Sequence, residues 1–449
     1  MTAASAGGTE ATLTENLRRL IACPTVADRD PALTDPAPFT ALHSTLAELY
    51  PHLHDTCELT PVGAHGLLFC WRGTTDHDAP LVLMAHQDVV PADQDWTSPP
   101  FAATVVGGHL VGRGAVDDKG ALLAVCEAVE GLIARGHRPR RDVWLLFSAD
   151  EEVDGGSARE AATLLRRRGI VPWLVLDEGG AVIDPGAVPG VGVPAAMIGI
   201  AEKGTLTLRL STVDEGGHSS VPRRGGATAR IARAVGRLDR TTFPAHLDTP
   251  TRAMLLTLGR HARGGYQALY ARTDTWAPVI AEILARISPE TAATVRTTIA
   301  VTQLEGSPAA NVLPTRAAAT VNVRLSATTT VAAALARLSR AVADRSITAE
   351  IIEATEASAV STVDDDRWAL LVKVAGEAFP DAVAAPYTQN GATDSRHFAR
   401  WCRHVYRFAP LRMSDEDRGR IHGADERVST ATLAEGVHFM TRLIEGATT

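Results

Sequence analysis

Side chains that can bind a metal ion follow several short apolar segments of this chain. The segments 81–85, 143–147 and 171–176 have the length and composition of buried strands. The side chains that follow them are His86 and Asp88, then Asp150, Glu151 and Glu152, then Asp177 and Glu178. In open α/β sheets, ligands bind at the carboxyl ends of strands, so we expect these side chains to lie together.

Two further motifs add metal-binding atoms to this set. Asp117 and Asp118 lie in a glycine-punctuated turn, 112–120, that enters a helix, and His422 lies in the segment 421–426. Each motif alone is weak evidence, because acidic residues after strands often cap helices. Together they form an oxygen and nitrogen ligand set without thiolates, which favours a catalytic zinc site, with manganese or cobalt as alternatives. Such a set could hold two ions about 3.5–4 Å apart, a spacing used for hydrolysis.

Apolar strands that alternate with helical patterns indicate how the chain positions these residues. Apolar residues recur with helical spacing over 119–135, and Gly136 is a natural end for that helix. Ser157 with Glu160 has the pattern of a capping box for the helix that runs to Arg168. This alternation predicts an α/β fold with a mostly parallel sheet flanked by helices.

The middle of the chain has a different pattern. Residues 205–213 and 319–325 alternate apolar and polar side chains, as strands with one solvated face do. Helical patterns lie between them, and Ser288-Pro289 opens one of these helices. We therefore predict an inserted, smaller α+β lid/dimerisation domain. The predicted boundaries are 1–202 and 326–449 for a zinc-binding catalytic domain, and 203–325 for the lid.

Length, charge and hydropathy limit the classes of protein to which the chain can belong. Its 449 residues exceed the usual size of one hydrophobic core, which predicts two domains. The net charge of −8 argues against a nucleic-acid partner, and the apolar runs are too short to span a membrane. Residues 1–15 lack the basic start and apolar core of a signal peptide. Five scattered cysteines without a CxxC pair indicate buried, reduced thiols, so we predict a cytoplasmic protein.

A series of longer motifs runs through most of the chain. They are His86-Gln87-Asp88-Val89-Val90-Pro91, Gly112-Arg113-Gly114 through Asp117-Asp118-Lys119-Gly120, Asp150-Glu151-Glu152, Asp177-Glu178-Gly179-Gly180, Gly217-His218-Ser219-Ser220, Asn311-Val312-Leu313-Pro314 and Ile421-His422-Gly423. In this order they resemble the signature of the aminoacylase/carboxypeptidase family of dinuclear zinc metallopeptidases. The segments 391–398 and 405–410 resemble its carboxypeptidase S branch, which includes a mammalian enzyme of N-fatty-acyl amino acids; Ala392 stands where the family usually has glycine.

The resemblance implies two zinc ions per subunit and a role for each residue around them. The implied ligands are His86, Asp117, Glu152, Asp177 and His422. Asp117 would bridge both ions, Asp88 would orient the imidazole of His86, and the peptide bond between Asp117 and Asp118 is often cis in this family. Glu151 would be the general base toward a water that the metal ions activate, and would return the proton to the leaving amine.

Four further residues are candidates for contact with the substrate. By resemblance, His218 would reach the active site of a partner subunit and stabilise the oxyanion, which implies a homodimer formed through the lid. Arg324 lies on an alternating strand, and its guanidinium could bind a carboxylate through two hydrogen bonds. Asn311 and Thr393 are the other two candidates. Apolar residues of the helices between 240 and 300 belong to the core or line a pocket for an acyl group.

These inferences predict a zinc amidohydrolase that acts on N-acyl-L-amino acids or short peptides bearing a free C-terminal carboxylate. The alternatives within the family are a dipeptidase and a deacylase of one metabolite, while the C-terminal motifs argue against a carbamoyl-amino-acid hydrolase. A non-catalytic binding protein on the same fold is an alternative of another class. The chain argues against it, because every implied ligand and the base are present.

Overall fold

The computed structural model describes residues 8–75 and 77–449. The first seven residues lie outside the described residues, although the predicted catalytic domain and the prediction of no signal peptide include them. The helices are α1 (Glu10–Ile21), α2 (Pro36–Leu49), α3 (Pro51–Thr56), α4 (Lys119–Ala134), α5 (Gly156–Arg167), α6 (Ala227–Asp239), α7 (Thr249–Gly259), α8 (Gly265–Tyr270), α9 (Thr273–Ile287), α10 (Pro289–Val295), α11 (Val331–Val342), α12 (Asp366–Ala378), α13 (Arg396–Ala399), α14 (Asp415–Gly419) and α15 (Thr430–Thr448). The strands are β1 (Glu58–Val62), β2 (Gly66–Trp71), β3 (Leu81–His86), β4 (Thr104–Val106), β5 (His109–Val111), β6 (Val143–Ser148), β7 (Leu174–Asp177), β8 (Val182–Ile183), β9 (Ala195–Glu202), β10 (Gly204–Val213), β11 (Gly217–His218), β12 (Thr298–Glu305), β13 (Val312–Leu313), β14 (Arg316–Leu325), β15 (Thr348–Thr355), β16 (Val383–Gln389), β17 (Val405–Arg407), β18 (Arg412–Met413) and β19 (Arg427–Ser429).

A large mixed sheet forms the centre of the catalytic domain. Its strand order is β1-β2-β6-β3-β7-β17-β9-β8-β18, and β16 pairs with β9. The central strands β6, β3, β7 and β17 run parallel, whereas β1 and β2 add an antiparallel edge. The predicted α/β fold with a mostly parallel sheet is confirmed. Because the central strands are parallel, their carboxyl ends meet at one edge, where His86 and the segments after β6 and β7 lie.

Successive residues of β3 pack into two different cores. Leu81, Leu83 and Ala85 pack on the side that carries α1, α4, α12 and α15, while Val82 and Met84 pack on the side that carries α5 and α13. Helices on both faces explain why this strand is an unbroken apolar run rather than an alternating one.

The smaller unit is an antiparallel sheet of order β12-β14-β10-β15. Leu206, Leu208 and Leu210 point to one face of β10 and pack with α6 and α11 in a separate core. The alternation predicted for β10 and β14 is present, and it reflects the one covered face of this sheet.

The domain boundaries differ from the predicted ones at two places. Leu338 and Val342 of α11 lie in the small core, and β15 pairs with β10, so the small unit continues past residue 325 to 355. Conversely, α7 to α10 lie between the strands of the small sheet in sequence, but Leu255 and Leu284 of these helices pack into the large core. The segment 249–295 therefore covers the catalytic domain.

Local helix signals are confirmed in two places and wrong in one. Gly136 has φ +75° just after α4, and Ser288 caps α10 in a capping box with Pro289 at the first turn. The predicted capping box at Ser157 is wrong, because α5 begins at Gly156 and Ser157 is already helical. The hydroxyl of Ser157 instead donates to the carboxylate of Asp150.

The five cysteines are free and buried, as the sequence predicted. Within the described part of the chain, no helix combines the length and apolar character required to cross a bilayer.

Candidate metal centre and active site

His86, the last residue of β3, is almost fully buried at the carboxyl edge of the sheet. Its Nδ1 lies 2.9 Å from the carbonyl oxygen of Asp88. A carbonyl can only accept, so Nδ1–H donates and the neutral ring keeps the lone pair on Nε2. Nε2 lies 2.8 Å from Oδ1 of Asp117 and 3.8 Å from Oε1 of Glu178. The ring thus presents a metal-binding nitrogen to two carboxylates.

Asp88 connects this histidine to the segment after β6. Its carboxylate accepts hydrogen bonds from the amides of Glu151, at 3.2 Å, and Glu152, at 3.0 Å. Oδ1 also lies 3.5 Å from Nδ1 of His86. The carbonyl of Asp88 thus makes the contact that the sequence assigned to its side chain. The carboxylate fixes the turn that carries the two glutamates.

Asp117 lies between the two histidines of the site. Its Oδ1 faces His86, and its Oδ2 lies 3.0 Å from Nε2 of His422. The peptide bond between Asp117 and Asp118 is cis, as the resemblance implied. One carboxylate therefore has an oxygen for each of two adjacent positions, which is the arrangement of a bridging ligand.

Two groups of potential ligands overlap at Asp117. One group is His86, Asp117 and Glu178, and the other is Asp117, Glu152 and His422; within each, the ligand atoms lie within 4.8 Å of one another. Nε2 of His422 is 3.1 Å from Oε1 of Glu152. Imidazole and carboxylate donors without thiolate suit zinc, so the residues present fit the metal that the sequence predicted.

After β7, the side chain that groups with His86 and Asp117 is that of Glu178, whereas the sequence predicted Asp177 as the ligand. The carboxylate of Asp177 accepts the amide hydrogen of Ser395 at 2.7 Å and that of Glu178 at 2.9 Å. Asp177 is almost fully buried, and both of its oxygens are committed to backbone groups. The side chain of the next residue, Glu178, points toward His86 instead.

The crowded carboxylates shift the pKa values of both imidazoles. Hydrogen bonds to Asp117 and Glu152 raise the pKa of His422 to about 10. Burial would lower the pKa of His86, but hydrogen bonds to Asp117 and Asp88 outweigh it and raise that pKa well above 6.5. Burial raises the pKa of Glu178, and the charge of Asp117 adds to this effect. The site therefore favours positive charge at its centre, which protons or metal cations can supply.

Glu426 and Arg113 contact the backbone that carries Asp117 and His422, and the sequence analysis assigned no role to either residue. Oε1 of Glu426 accepts the amide hydrogens of Val116, at 2.9 Å, and Asp117, at 3.1 Å, while Oε2 pairs with Arg113 at 2.7 Å. Arg113 in turn donates to the carbonyl of His422 at 3.3 Å. In the sequence, Arg113 is visible only as the middle residue of the Gly112–Gly114 motif, and Glu426 only as the last residue of the segment 421–426.

Glu151 is adjacent to a ligand but belongs to neither ligand group. Its side chain is mostly buried and borders the same cavity as Asp117 and Glu178. Burial raises the pKa of Glu151 well above 4.5, although the nearby charge of His86 opposes this shift. Nη1 of Arg396, a residue that sequence reasoning did not single out, lies 3.8 Å from its carboxylate.

A cavity of about 400 Å³ lies between the two units and opens onto the metal site. The catalytic domain contributes Asp117, Glu151, Glu152, Glu178 and His422, and the small unit contributes Thr205, Asn322, Arg324 and Glu353. The groups that would react and those that would bind a substrate therefore face one space.

Two of the predicted substrate residues border this cavity. Nη1 of Arg324 donates to the hydroxyl of Thr205 at 3.0 Å, which positions the guanidinium at the cavity wall. Thr393 also borders the cavity, but its amide and its hydroxyl both lie near Oε2 of Glu202, at 3.1 and 3.3 Å. The polar groups of Thr393 are thus engaged within the protein.

The other two predicted residues, His218 and Asn311, lie together elsewhere. His218 ends β11 and Asn311 directly precedes β13 in an exposed ribbon, where the carbonyl of Asn311 accepts the amide hydrogen of Ser219 at 3.2 Å. Among the described residues that line the 400 Å³ cavity, neither His218 nor Asn311 is found. Nδ1 of His218 accepts the amide hydrogen of Ser220 at 3.1 Å, so its neutral ring carries the proton on Nε2.

An apolar cavity of about 280 Å³ adjoins the metal cavity. The two share Gly179, Gln389, Met413 and Ile421 as a common wall. Met254, Leu255 and Leu284 of the helical segment 249–295 line the apolar cavity but not the metal cavity. Part of the apolar set noted in the sequence therefore lines a pocket, while Leu258 and Ile280 of the same segment are core.

Comparison with known proteins places this geometry in a family. The model of "Peptidase family M20/M25/M40" matches residues 82–446, most of the chain. The chain belongs to this peptidase family. Its members named below are peptidases or aminoacylase-type enzymes, and the chain is a hydrolase of this type that acts on amide bonds of small molecules. The family implies a divalent metal, generally zinc.

Curated relatives of the M20 chain lie in the branch that the sequence resembled. It is 32% identical over 412 residues to a probable carboxypeptidase S-like 2 of Dictyostelium discoideum, covering 91% of this chain and 79% of that protein. It is 34% identical over 387 residues to the N-fatty-acyl-amino acid synthase/hydrolase PM20D1 of Homo sapiens, covering 85% of this chain and 77% of that protein.

Solved structures share the fold of this chain at low sequence identity. Human carnosine dipeptidase 1 aligns with a TM-score of 0.72 and 15% identity over 98% of this chain and 96% of that chain. The M20 family metallo-carboxypeptidase Sso-CP2 of Sulfolobus solfataricus aligns with a TM-score of 0.67 and 17% identity over 98% and 99%.

Proposed function

We propose that this M20 chain is a dinuclear zinc amidohydrolase that cleaves N-acyl-L-amino acids or short peptides with a free C-terminal carboxylate. The observation that carries the proposal is the position of Asp117, whose two oxygens face His86 and His422 at 2.8 and 3.0 Å. A dipeptidase or a deacylase of one metabolite would use the same centre and differ only in the cavity walls.

The two overlapping ligand groups would each hold one zinc ion, with cobalt or manganese as substitutes. His86 and Glu178 would bind one ion, Glu152 and His422 the other, and Asp117 would bind both. Bound there, the metal pair supplies Lewis acidity that activates water and polarises the substrate carbonyl. Asp88 orients His86 through its carbonyl and the glutamate turn through its carboxylate.

Glu151 is the residue we propose to move the proton. It borders the cavity without joining a ligand group, so its carboxylate stays available to the attacking water. It would take a proton from that water and deliver it to the leaving amine nitrogen, which becomes neutral as the amide bond breaks.

Arg324 is the residue we propose to bind the substrate carboxylate. It is the arginine that the small unit contributes to the cavity, and a guanidinium binds a carboxylate through two parallel hydrogen bonds. The adjoining apolar cavity would then take the acyl group, and one of the relatives is named an N-fatty-acyl-amino acid synthase/hydrolase. Substrate contact by Asn311 and Thr393 stays a prediction.

We further propose a homodimer in which His218 acts on the active site of the partner subunit. His218 presents Nε2–H from an exposed ribbon, as an oxyanion donor would. Apolar residues are exposed around this ribbon, with Val221 at 76% and Val312 at 46% of their full accessibility. Such exposed apolar surface often marks a protein interface. The cytoplasmic location stays a prediction.

Mixing two inactive variants tests the shared site. Glu151→Gln and His218→Ala subunits, exchanged at equal amounts, should recover about a quarter of wild-type activity, because half the dimers are mixed and each has one complete site. A mixture of Glu151→Gln with Asp117→Asn is the control. Both residues act in the site of their own subunit, so a mixed dimer of these variants has no complete site. If the first mixture is no more active than the control, His218 does not act across subunits.

Substrate hydrolysis by Glu151→Gln tests the function itself. The zinc-loaded wild type is assayed with N-acetyl, N-long-chain-acyl and dipeptide substrates, each also as its C-terminal amide. We expect the free acids to be cleaved and the variant to lose about 10²–10⁴-fold in kcat while retaining its zinc. Glu160→Gln, on the exposed side of α5, is the control. Unchanged hydrolysis by Glu151→Gln would refute the assigned base, and no hydrolysis of any acid would refute the substrate class.

A further inference from the structure

A second polar cavity, of about 450 Å³, lies in the groove between α5 and α13. We call it the arginine groove, and its charged lining residues are Arg159, Arg166, Arg167 and Arg400. Ala162, Thr163, His397 and Trp401 complete its walls, and it shares no lining residue with the metal cavity.

The spacing of residues on α5 creates this groove. Ala158, Ala161 and Leu165 pack inward against Phe398 of α13, and the two small alanine side chains let the helices lie close together. The next face of α5 carries Arg159, Thr163 and Arg166, spaced by four and three residues, so these side chains project on one side along the groove.

The positive charge of the groove is poorly compensated. Arg159 pairs with Asp154 at 2.9 Å, with both side chains more than half exposed. In the described ranges 8–75 and 77–449, no ion pair joins Arg166, Arg167 or Arg400 to a carboxylate. Glu160 is close in sequence, but its carboxylate accepts the amide hydrogen of Gly63 instead. In a chain of net charge −8, this local excess of arginine requires an explanation.

His397 forms a buried part of the groove wall. It lines the groove and is only 7% exposed, and its Nε2 is buried without a hydrogen-bond partner among the described residues. Burial lowers the pKa of His397 to about 3, with the charges of Arg396, Arg400 and Arg159 adding to the effect and Asp154 opposing it. The ring is therefore neutral near pH 7.

Trp401 gives the groove a fixed aromatic wall. Its indole N–H donates to the carbonyl of His397 at 3.0 Å, and its ring packs against Phe398 with centroids 5.6 Å apart. The side chain is thus held in one orientation and forms a flat apolar surface beside the arginines.

We propose that the arginine groove binds a phosphate group, either free or carried by a small molecule whose remainder packs on Trp401. Guanidinium groups bind phosphate oxygens through paired hydrogen bonds, and a dianion would offset most of the positive charge that remains after Asp154 pairs with Arg159. The volume of the groove lies in the range typical of small-molecule sites, about 300–1,000 Å³. The negative net charge of the chain disfavours a nucleic acid as the source.

Calorimetric titration of the zinc-loaded full chain with inorganic phosphate, adenosine monophosphate and adenosine tests this proposal at constant ionic strength. We expect the two phosphates to bind and adenosine not to bind. Tighter binding of the nucleotide than of phosphate would identify a carried phosphate as the ligand, and equal binding would identify the free ion. Phosphate also binds zinc centres, so the variants below separate the two sites.

The decisive variant is Arg166→Ala/Arg400→Ala, and Arg135→Ala/Arg138→Ala, on the loop after α4, is the control of equal charge. Phosphate affinity at the groove should fall roughly tenfold or more in the first variant and stay unchanged in the control. Hydrolytic activity of both variants verifies that they fold. Equal phosphate affinity in wild type and the groove variant, or no binding by wild type up to about 10 mM, would overturn the proposal.

Discussion

The carboxylate of Glu426 accepts the backbone amide hydrogen of Asp117 at 3.1 Å, across 309 residues of sequence. This contact fixes the residue that faces both histidines of the metal centre. The other oxygen of Glu426 is paired with Arg113, and both side chains are fully buried. The position of the carboxylate that we propose to bridge two ions therefore depends on an ion pair that contacts none of the proposed ligand atoms.

Glu426→Gln should weaken metal binding, since an amide cannot balance the charge of Arg113 or hold the turn at Asp117 as firmly. We expect metal affinity to fall about 10–100-fold. The free energy of unfolding should fall by about 3 kcal/mol, because a buried guanidinium loses its partner. Chelator competition and denaturant unfolding measure the two effects. Glu416→Gln, an exposed partner of Arg420, is the control, and equal behaviour of the two variants would contradict the supporting role.

Glu178→Ala should lower the metal content, whereas Asp177→Asn should leave it unchanged. Removing Glu178 takes away a ligand of the ion at His86, so that ion should bind about 10–100-fold more weakly. Asp177→Asn should keep both ions and lose stability, because the carboxylate of Asp177 accepts the amide hydrogens of Glu178 and Ser395. Metal analysis at limiting zinc, combined with thermal unfolding, separates the outcomes. Loss of an ion in Asp177→Asn but not in Glu178→Ala would restore the original ligand prediction.

Metal-stripped protein should lose stability as the pH rises, whereas zinc-loaded protein should not. The folded pKa of His422 is about 10, above its ordinary 6.5, and that of His86 is also raised. A raised pKa means that the folded state binds the proton more tightly. The resulting stability is complete below pH 6.5 and is lost as the pH rises toward 10.

Differential scanning calorimetry with and without zinc across this pH range measures the effect. His422→Gln is the control, because it removes the group with the raised pKa and should reduce the slope in metal-stripped protein. A stripped wild type whose melting temperature is constant up to about pH 10 would contradict the assignment of these protons to the metal site.

Arg324→Met should affect substrate binding more than chemistry. We expect KM for a free-acid substrate to rise about 10–100-fold, since a charged hydrogen-bonded pair is worth roughly 1.5–3 kcal/mol. Amidated substrates should be insensitive to the change. Steady-state kinetics on matched acid and amide pairs measure this, with Arg316→Met at the exposed start of the same strand as the control. Equal losses on acid and amide would show that Arg324 does not bind the carboxylate.

Much of the metal centre was predictable because parallel strands impose proximity on residues that are distant in sequence. His86 and Glu152 follow adjacent strands, so their order in the chain sufficed to bring them together. The choice between Asp177 and Glu178 was not predictable. Both come where β7 ends, and the direction of each side chain depends on contacts with Ser395 and His86 that the sequence does not display.

The pair of Arg113 and Glu426 was hidden for a different reason. Its members are 313 residues apart, and neither occurs in a pattern that distinguishes a buried ion pair from a solvated one. The predicted lid boundary at residue 325 was too early, because α11 has an apolar face that could pack on either core. The sequence alone does not show which core it covers. Only the pairing of β15 with β10 shows that the chain has not yet left the small sheet.

The number of zinc ions per chain tests the central claim most directly. Inductively coupled plasma mass spectrometry on wild-type protein, reconstituted with zinc and freed of loosely bound metal, gives this number without reference to any substrate. Two overlapping ligand groups that share Asp117 predict two zinc ions per chain, and fewer in Asp117→Asn. One ion or none in fully reconstituted, folded wild-type protein would contradict the dinuclear centre.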